Sequence, residues 1–140
     1  MIGKPDQDAF VRSMKWAVVT SLRSDGSPTN SVVFYAVDGD DLIFSTTKDR
    51  LKAKTLSRDP RASLTVLDEG APYRFVSVEG SAAIEDSDIV PGHIAINRVM
   101  RGVPDWEPPA GYLETLGTQG RVVVRITPAR VLPRSRASTD

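Results

Sequence analysis

Cysteine is absent from this sequence and histidine occurs once. The lack of cysteine excludes a disulfide framework, a thiolate nucleophile and cysteine-based metal sites. A single histidine, His93, excludes a multi-histidine metal centre and leaves only one imidazole for any serine triad. We expect His93 to be structural, either on the surface or packed against a helix. No metal ligand is predicted.

The sequence also lacks net charge and long hydrophobic runs. Lys plus Arg and Asp plus Glu both number 18 in 140 residues, so no overall charge would recruit nucleic acid or an acidic membrane. No apolar run approaches the roughly 20 residues that span a bilayer, and the N-terminus has no signal-peptide pattern. We predict a cytoplasmic protein with a single domain spanning residues 1–140.

Common catalytic and nucleotide-binding motifs are missing as well. There is no G-x-S-x-G elbow, no G-x-x-x-x-G-K-[ST] loop and no G-x-G-x-x-G after a strand. No residue is an obvious proton donor, and we assign none a catalytic role. If the protein is an enzyme, a cofactor must supply its chemistry.

Short β-rich runs separated by turn residues make up most of the chain. Asp-Gly turns join the first three runs as hairpins, and no βαβ alternation is present. This pattern predicts a mainly β fold, a six-stranded antiparallel split β-barrel of Greek-key type. Strands are expected at 16–23, 31–37, 42–46, 62–67, 73–84 and 121–132. Helices are expected at about 6–14, at 50–57 and in the second part of 89–100, with a loop at 101–111 and a polar tail at 134–140.

Positive charge is concentrated between the third strand and the second helix. Residues 46–61 carry six cations against two carboxylates, a surplus of four in a chain whose total is zero. Several of these cations lie at the start of the predicted helix, where the helix dipole disfavours them. A bound anion would resolve this conflict, since backbone N–H groups of the helix, the hydroxyls of Ser45, Thr46 and Thr47, and Arg50 form a suitable phosphate cradle. The alternative is a solvated basic face.

Two aromatic segments are further candidates. Trp106 lies in a proline-rich loop, where its ring either covers a planar ligand or a partner subunit or packs onto the protein body. Tyr73 and Arg74 follow a Gly-Ala-Pro turn and either flank a ring system or lie on the surface.

Several motifs resemble the pyridoxamine-phosphate-oxidase-like, FMN-binding split β-barrel superfamily, and more closely its branch of F420-dependent oxidoreductases. The resemblance covers about residues 16–132. Its most specific part is the Arg50-x-Lys52 stretch with its Arg-Asp-Pro-Arg tail at 58–61. The other matching segments are Asp-Gly-Ser-Pro at 25–28, Val-Glu-Gly-Ser-Ala at 78–82, Asp-Trp at 105–106 and Arg-Val at 130–131.

This resemblance implies a homodimer with two cofactor sites between the subunits. Arg50 and Lys52 would bind the cofactor phosphate, and Ser31 would lie beneath the ring. The other residues that the resemblance assigns to cofactor binding are Ser45, Thr46, Thr47, Thr55, Tyr73, Arg74 and Trp106, some of them donated across the dimer. The sequence departs from the family at Thr55, where relatives commonly have asparagine, and at 29–32.

The function implied is hydride transfer between coenzyme F420, a deazaflavin, and a small conjugated organic substrate. An FMN-dependent oxidase or reductase on the same barrel is the nearest alternative, because the phosphate cradle suits either cofactor. A non-catalytic flavin- or F420-binding protein is another. Binding of nucleic acid is disfavoured by the aromatic content of 6% and the zero net charge.

Overall fold

The computed structural model describes residues 1–133, which form six strands and four helices. The predicted six-stranded antiparallel barrel is confirmed. It is closed, with the strand order β1-β2-β3-β6-β5-β4. The strands are β1 (Trp16–Leu22), β2 (Pro28–Asp38), β3 (Asp41–Thr47), β4 (Arg61–Leu67), β5 (Phe75–Glu85) and β6 (Arg121–Leu132). The helices are α1 (Pro5–Ser13), α2 (Leu51–Arg58), α3 (Val90–Arg101) and α4 (Tyr112–Thr118). The predicted tail at 134–140 lies outside the described residues.

Inward-facing and outward-facing side chains alternate along the strands, and this separates the barrel core from its outer surface. In β1, Ala17 and Val19 are buried, whereas Trp16, Val18 and Leu22 share the opposite, outer face. Strand β6 departs from simple alternation, because its residues 122–124 are all buried. One side of this run faces the barrel interior and the other lies under α3. Such burial on both faces explains its continuous run of valines.

Helices α1 and α2 pack at opposite ends of the barrel. At one end, the Tyr35 hydroxyl donates a 2.6 Å hydrogen bond to the carbonyl of Val11 in α1. At the other, the Thr55 hydroxyl of α2 lies 2.8 Å from that of Ser21. Both bonds are buried, so each fixes the position of a helix relative to the strands.

Helix α3 packs outside the barrel against β2 and β3 and forms a second apolar cluster. Its buried members are Ala36, Ile43, Ile89, Ile96, Leu116 and Val123. The prediction that proline and glycine would confine this helix to its second part is wrong. The helix begins at Val90 and accommodates Pro91 in its first turn, where the missing N–H would have no partner in the helix.

Helix α4 was not predicted. It follows Gly111, whose φ of +76° is accessible to glycine at little cost. The preceding loop is anchored to α3, because Arg98 Nε donates a 2.9 Å hydrogen bond to the carbonyl of Trp106. Across residues 1–133, no helix has the length and apolar character needed to cross a membrane.

Candidate functional site

A groove of about 450 Å³ lies on the outside of the barrel, between strands β2 and β3, the start of α2, and helices α3 and α4. Its volume falls in the usual range for a small-molecule site. Apolar side chains from β2 and α3 form part of its lining, among them Val32, Phe34 and Ile96. Polar and charged side chains from β3, α2 and β6 form another part.

Four cationic side chains line this groove: Arg50, Lys52, Arg101 and Arg121. Among the described residues that line it, none is a carboxylate. Burial lowers the pKa of Lys52 from its usual value, and the charges of Arg50 and Arg121 lower it further. The cations therefore repel one another. The charge of Asp49, outside the groove lining, interacts favourably with Arg50, and an anion in the groove would relieve the remaining repulsion.

The N-terminus of α2 adds to this positive region. Arg50 is the N-cap residue, no side chain among residues 1–133 caps the helix, and its first turn contains no acidic residue. The uncapped N–H groups and the positive end of the helix dipole both favour an anion here. The basic segment predicted at residues 46–61 thus contributes Arg50 and Lys52 to the groove, whereas Lys48 and Lys54 are not among its lining residues.

Ser45 and His93 form a hydrogen-bonded pair in the wall of the groove. The Ser45 hydroxyl oxygen lies 2.7 Å from His93 Nε2, and His93 Nδ1 lies 2.7 Å from the carbonyl oxygen of Ile89. His93 is buried, with 3% of its surface exposed. Burial lowers its pKa, partly opposed by the hydrogen bond to Ile89, and the charge of Arg121 lowers it further. The imidazole is therefore neutral near pH 7.

A second hydrogen-bond network runs along α3. Asn97 Nδ2 donates to the carbonyl of His93 at 2.8 Å and to the hydroxyl of Tyr112 at 3.0 Å, while Asn97 Oδ1 accepts from Arg101 Nε at 3.0 Å. The ring of Trp106 packs edge-on against Tyr112 at 5.8 Å and beneath the guanidinium of Arg101 at 5.0 Å. Trp106 therefore supports the α4 wall without lining the groove itself.

Four of the predicted cofactor-binding residues line the groove together: Ser45, Thr46, Arg50 and Lys52. Thr46 is buried, and its hydroxyl oxygen has no hydrogen-bond partner among residues 1–133. Thr47 is the last residue of β3, and its hydroxyl donates a 2.5 Å hydrogen bond to Asp49 in the adjoining turn.

The other predicted residues lie elsewhere. Ser31 pairs with Val19 across the sheet and so shares its inward-directed face, while the next residue, Val32, lines the groove. Thr55 is buried between Ser21 and the α2 backbone.

Tyr73 and Arg74 occupy the turn before β5. Tyr73 is 83% exposed, and Arg74 lies 3.4 Å from Asp68. Neither residue lines the groove of its own chain.

Sequence reasoning missed seven polar residues of the groove: His93, Asn97, Arg101, Tyr112, Thr115, Gln119 and Arg121. Only His93 carried a signal, as the sole histidine, and it was expected to be structural. The other six lie in α3, in α4 and its C-cap, and at the start of β6, and no sequence motif marks them.

A closed six-stranded antiparallel barrel with short flanking helices defines the split-barrel class of fold. The chain belongs to the pyridoxamine 5'-phosphate oxidase family, whose model matches residues 4–135. This confirms the resemblance found in the sequence.

Solved structures with this fold include proteins of several kinds. The chain is similar to an F420 reductase, with 25% sequence identity, a TM-score of 0.71, and coverage of 89% of this chain and 94% of that one. A conserved hypothetical protein from Mycobacterium tuberculosis is 23% identical, with a TM-score of 0.76 over 96% of this chain and 91% of that one. An FAD-binding protein from Mesorhizobium loti is 19% identical, with a TM-score of 0.66 over 93% and 92% of the two chains.

Proposed function

We propose that this protein is an F420-dependent oxidoreductase that binds the coenzyme in the groove beside Arg50 and Lys52. The observation that carries the proposal is the cluster of cations at the turn from β3 to α2, in a groove whose described lining residues include no carboxylate. The similarity to an F420 reductase at 25% identity supports this choice of coenzyme.

The residues present suit a phosphorylated cofactor with a planar ring. Arg50 and Lys52 would hold the phosphate. Val32 and Phe34 offer an apolar surface for a ring system. When bound, the deazaflavin supplies hydride-transfer chemistry, and the protein contributes orientation and charge.

The cofactor site is proposed to be completed by a second copy of the chain. Trp16, Val32 and Phe34 are 40%, 63% and 38% exposed, and the rings of Trp16 and Phe34 stack at 6.3 Å on the outer face of β1 and β2. Leaving such apolar area in water is unfavourable, and a homodimer would cover it. Because Val32 and Phe34 also line the groove, a partner seated on this face would border the cofactor. Tyr73 and Arg74 are candidates to reach across it.

Titration of the purified protein with F420 and with FMN, followed by tryptophan fluorescence, tests the coenzyme. We expect micromolar or tighter binding of F420 and turnover of a small conjugated acceptor. A protein that is yellow as purified and binds FMN in preference to F420 would instead be an FMN-dependent enzyme. Saturable binding without turnover over a broad acceptor screen would indicate a binding protein.

Light scattering after size-exclusion chromatography tests the dimer. Val32→Lys places a charge at the proposed interface, and we expect it to shift the mass from dimer to monomer. Leu113→Lys is the matched control, because Leu113 is 62% exposed on α4 and outside the proposed interface. A monomeric wild-type protein would contradict the assembly.

A further inference from the structure

The buried contacts of His93 determine its tautomer. A carbonyl oxygen only accepts hydrogen bonds, so the 2.7 Å contact with Ile89 requires the proton of the neutral ring to be on Nδ1. Nε2 then carries a lone pair, and the 2.7 Å contact with Ser45 requires the serine hydroxyl to be the donor. The single hydrogen of Ser45 Oγ is thereby used inside the wall of the groove.

We infer that His93 is a positioning residue that makes Ser45 an acceptor-only contact for the ligand. Ser45 is partly exposed to the groove, and what it presents there is oxygen lone pairs without a hydrogen. Such an oxygen favours an N–H or O–H donor and disfavours a phosphate oxygen or carbonyl. This inference rests on the proposed function and revises one part of the sequence-based prediction, which placed Ser45 beside the phosphate.

The fold keeps this arrangement in place. Ile96 of α3 and Ile89, its N-cap residue, are buried in the apolar cluster against β3, which holds His93 over the strand. Asn97 also donates to the main-chain carbonyl of His93 at 2.8 Å. Among the described residues, Arg121 is the charged group that influences the imidazole, and it favours the neutral ring. The groove thus presents Arg50 and Lys52 at the start of α2 and an acceptor at Ser45, in addition to Arg101 on α3 and Arg121 on β6.

The ligand group that contacts Ser45 is therefore a hydrogen-bond donor that lies close to the phosphate. Ser45 precedes Thr47 by two strand residues, or roughly 7 Å, and Thr47 adjoins the turn that leads to Arg50. A phosphorylated flavin or deazaflavin offers two kinds of donor: the hydroxyls of the polyol chain beside the phosphate, and the imide N–H at the far edge of the ring. The spacing favours a polyol hydroxyl.

The tautomer can be measured without any cofactor. Because the chain contains one histidine, a long-range ¹⁵N–¹H spectrum of tag-free protein reports His93 alone. We expect the Nδ1-protonated neutral ring near pH 7, with the Nε2 resonance shifted in Ser45→Ala. An Nε2-protonated ring would overturn the inference whatever the protein binds.

A double-mutant cycle tests the coupling to the ligand, with F420 and FMN as probes. We expect Ser45→Ala to weaken binding by about threefold to tenfold, as for loss of one hydrogen bond, and Ser45→Thr to restore it. His93→Asn keeps a donor for Ile89 but leaves Ser45 without its acceptor, and we expect a loss of about twofold to threefold. In the Ser45→Ala background, His93→Asn should cause no further loss of affinity. Equal losses in both backgrounds would overturn the inference.

Two FMN analogues identify the donor. For a protein that binds FMN, we expect 2′-deoxy-FMN, which lacks a chain hydroxyl, to lose affinity in the wild type but not in Ser45→Ala. N3-methyl-FMN, which lacks the imide N–H, should show no such difference. The opposite pattern would assign the imide instead and refute the polyol contact. Failure of the wild-type protein to bind either F420 or FMN would refute the proposed function. Tight binding with the same affinity in the wild type and in Ser45→Ala would refute only this inference.

Discussion

Neutralising the cations at the α2 end of the groove should have opposite effects on ligand binding and on stability. Lys52 is partly buried, and its ammonium is disfavoured by burial and by Arg50 and Arg121. The variant Arg50→Gln/Lys52→Met removes two cations from this mutually repulsive group. The free energy of unfolding of the ligand-free protein should therefore stay the same or rise.

The loss of affinity can be estimated from the contacts removed. A hydrogen bond to a charged group contributes about 1.5 to 3 kcal/mol. Arg50 is exposed and Lys52 only partly so, which places Arg50 at the low end of that range. Together they correspond to about 3 to 4 kcal/mol, or a roughly 100- to 1,000-fold increase in Kd for F420.

The assay is a fluorescence titration with F420 beside a thermal melt of the ligand-free protein. Lys48→Gln/Lys54→Met is the matched control, because it removes the same charge from the same segment at residues outside the groove lining. Both lysines are exposed, and the interactions of exposed charges are weakened by salt at physiological ionic strength. An unchanged Kd in the Arg50/Lys52 variant, or an equal loss in the control, would refute the assignment of the phosphate site.

Three further predictions concern the barrel and His93. Gly80→Ala should destabilise the protein by about 3 kcal/mol or more in chemical denaturation, because the added Cβ would collide with the carbonyl oxygen of Thr127. Gly117→Ala is the control and should be neutral or stabilising, because the space around Gly117 is open. Tyr35→Phe leaves a main-chain carbonyl of α1 without its buried donor and should cost about 1 to 3 kcal/mol by the same measurement. The folded-state pKa of His93 lies below its ordinary value of 6.5, so the unfolded chain binds more protons between the two. Stability should therefore be full above about pH 6.5 and fall on acidification through that window, and His93→Gln should remove this slope.

The barrel could be predicted because its signals are local. Each strand is a short β-rich run that ends at turn residues, and strand β6 at 121–132 was predicted with the bounds that the structure has. Helix α4 was missed because its signal is weak: Leu116 is its one buried residue, and Gly117 lies inside it. The start of α3 was misjudged because Pro91, a helix breaker at most positions, is compatible with a first turn.

The candidate site likewise has a part that local sequence predicts and a part that only the tertiary structure brings together. Arg50 and Lys52 were predicted from charge in one continuous segment that also carries the family motif. The partnership of Ser45 with His93 joins residues 48 apart in the sequence, and no local pattern connects them. It arises because α3 packs across β3, which is a property of tertiary structure.

The order of chemical groups along the groove discriminates between classes of ligand. Two of the four cations, Arg50 and Lys52, lie at the β3–α2 turn and the start of α2, and the Ser45 acceptor comes next along β3. Apolar side chains such as Val32 lie on the neighbouring strand β2. Inorganic phosphate would use only the cationic end and leave the acceptor and the apolar surface without a function. A single-stranded nucleic acid would meet a groove with few aromatic platforms for its bases. A molecule with a phosphate, a hydroxylated chain and a planar ring matches all three regions in sequence, and flavin-type coenzymes have that order.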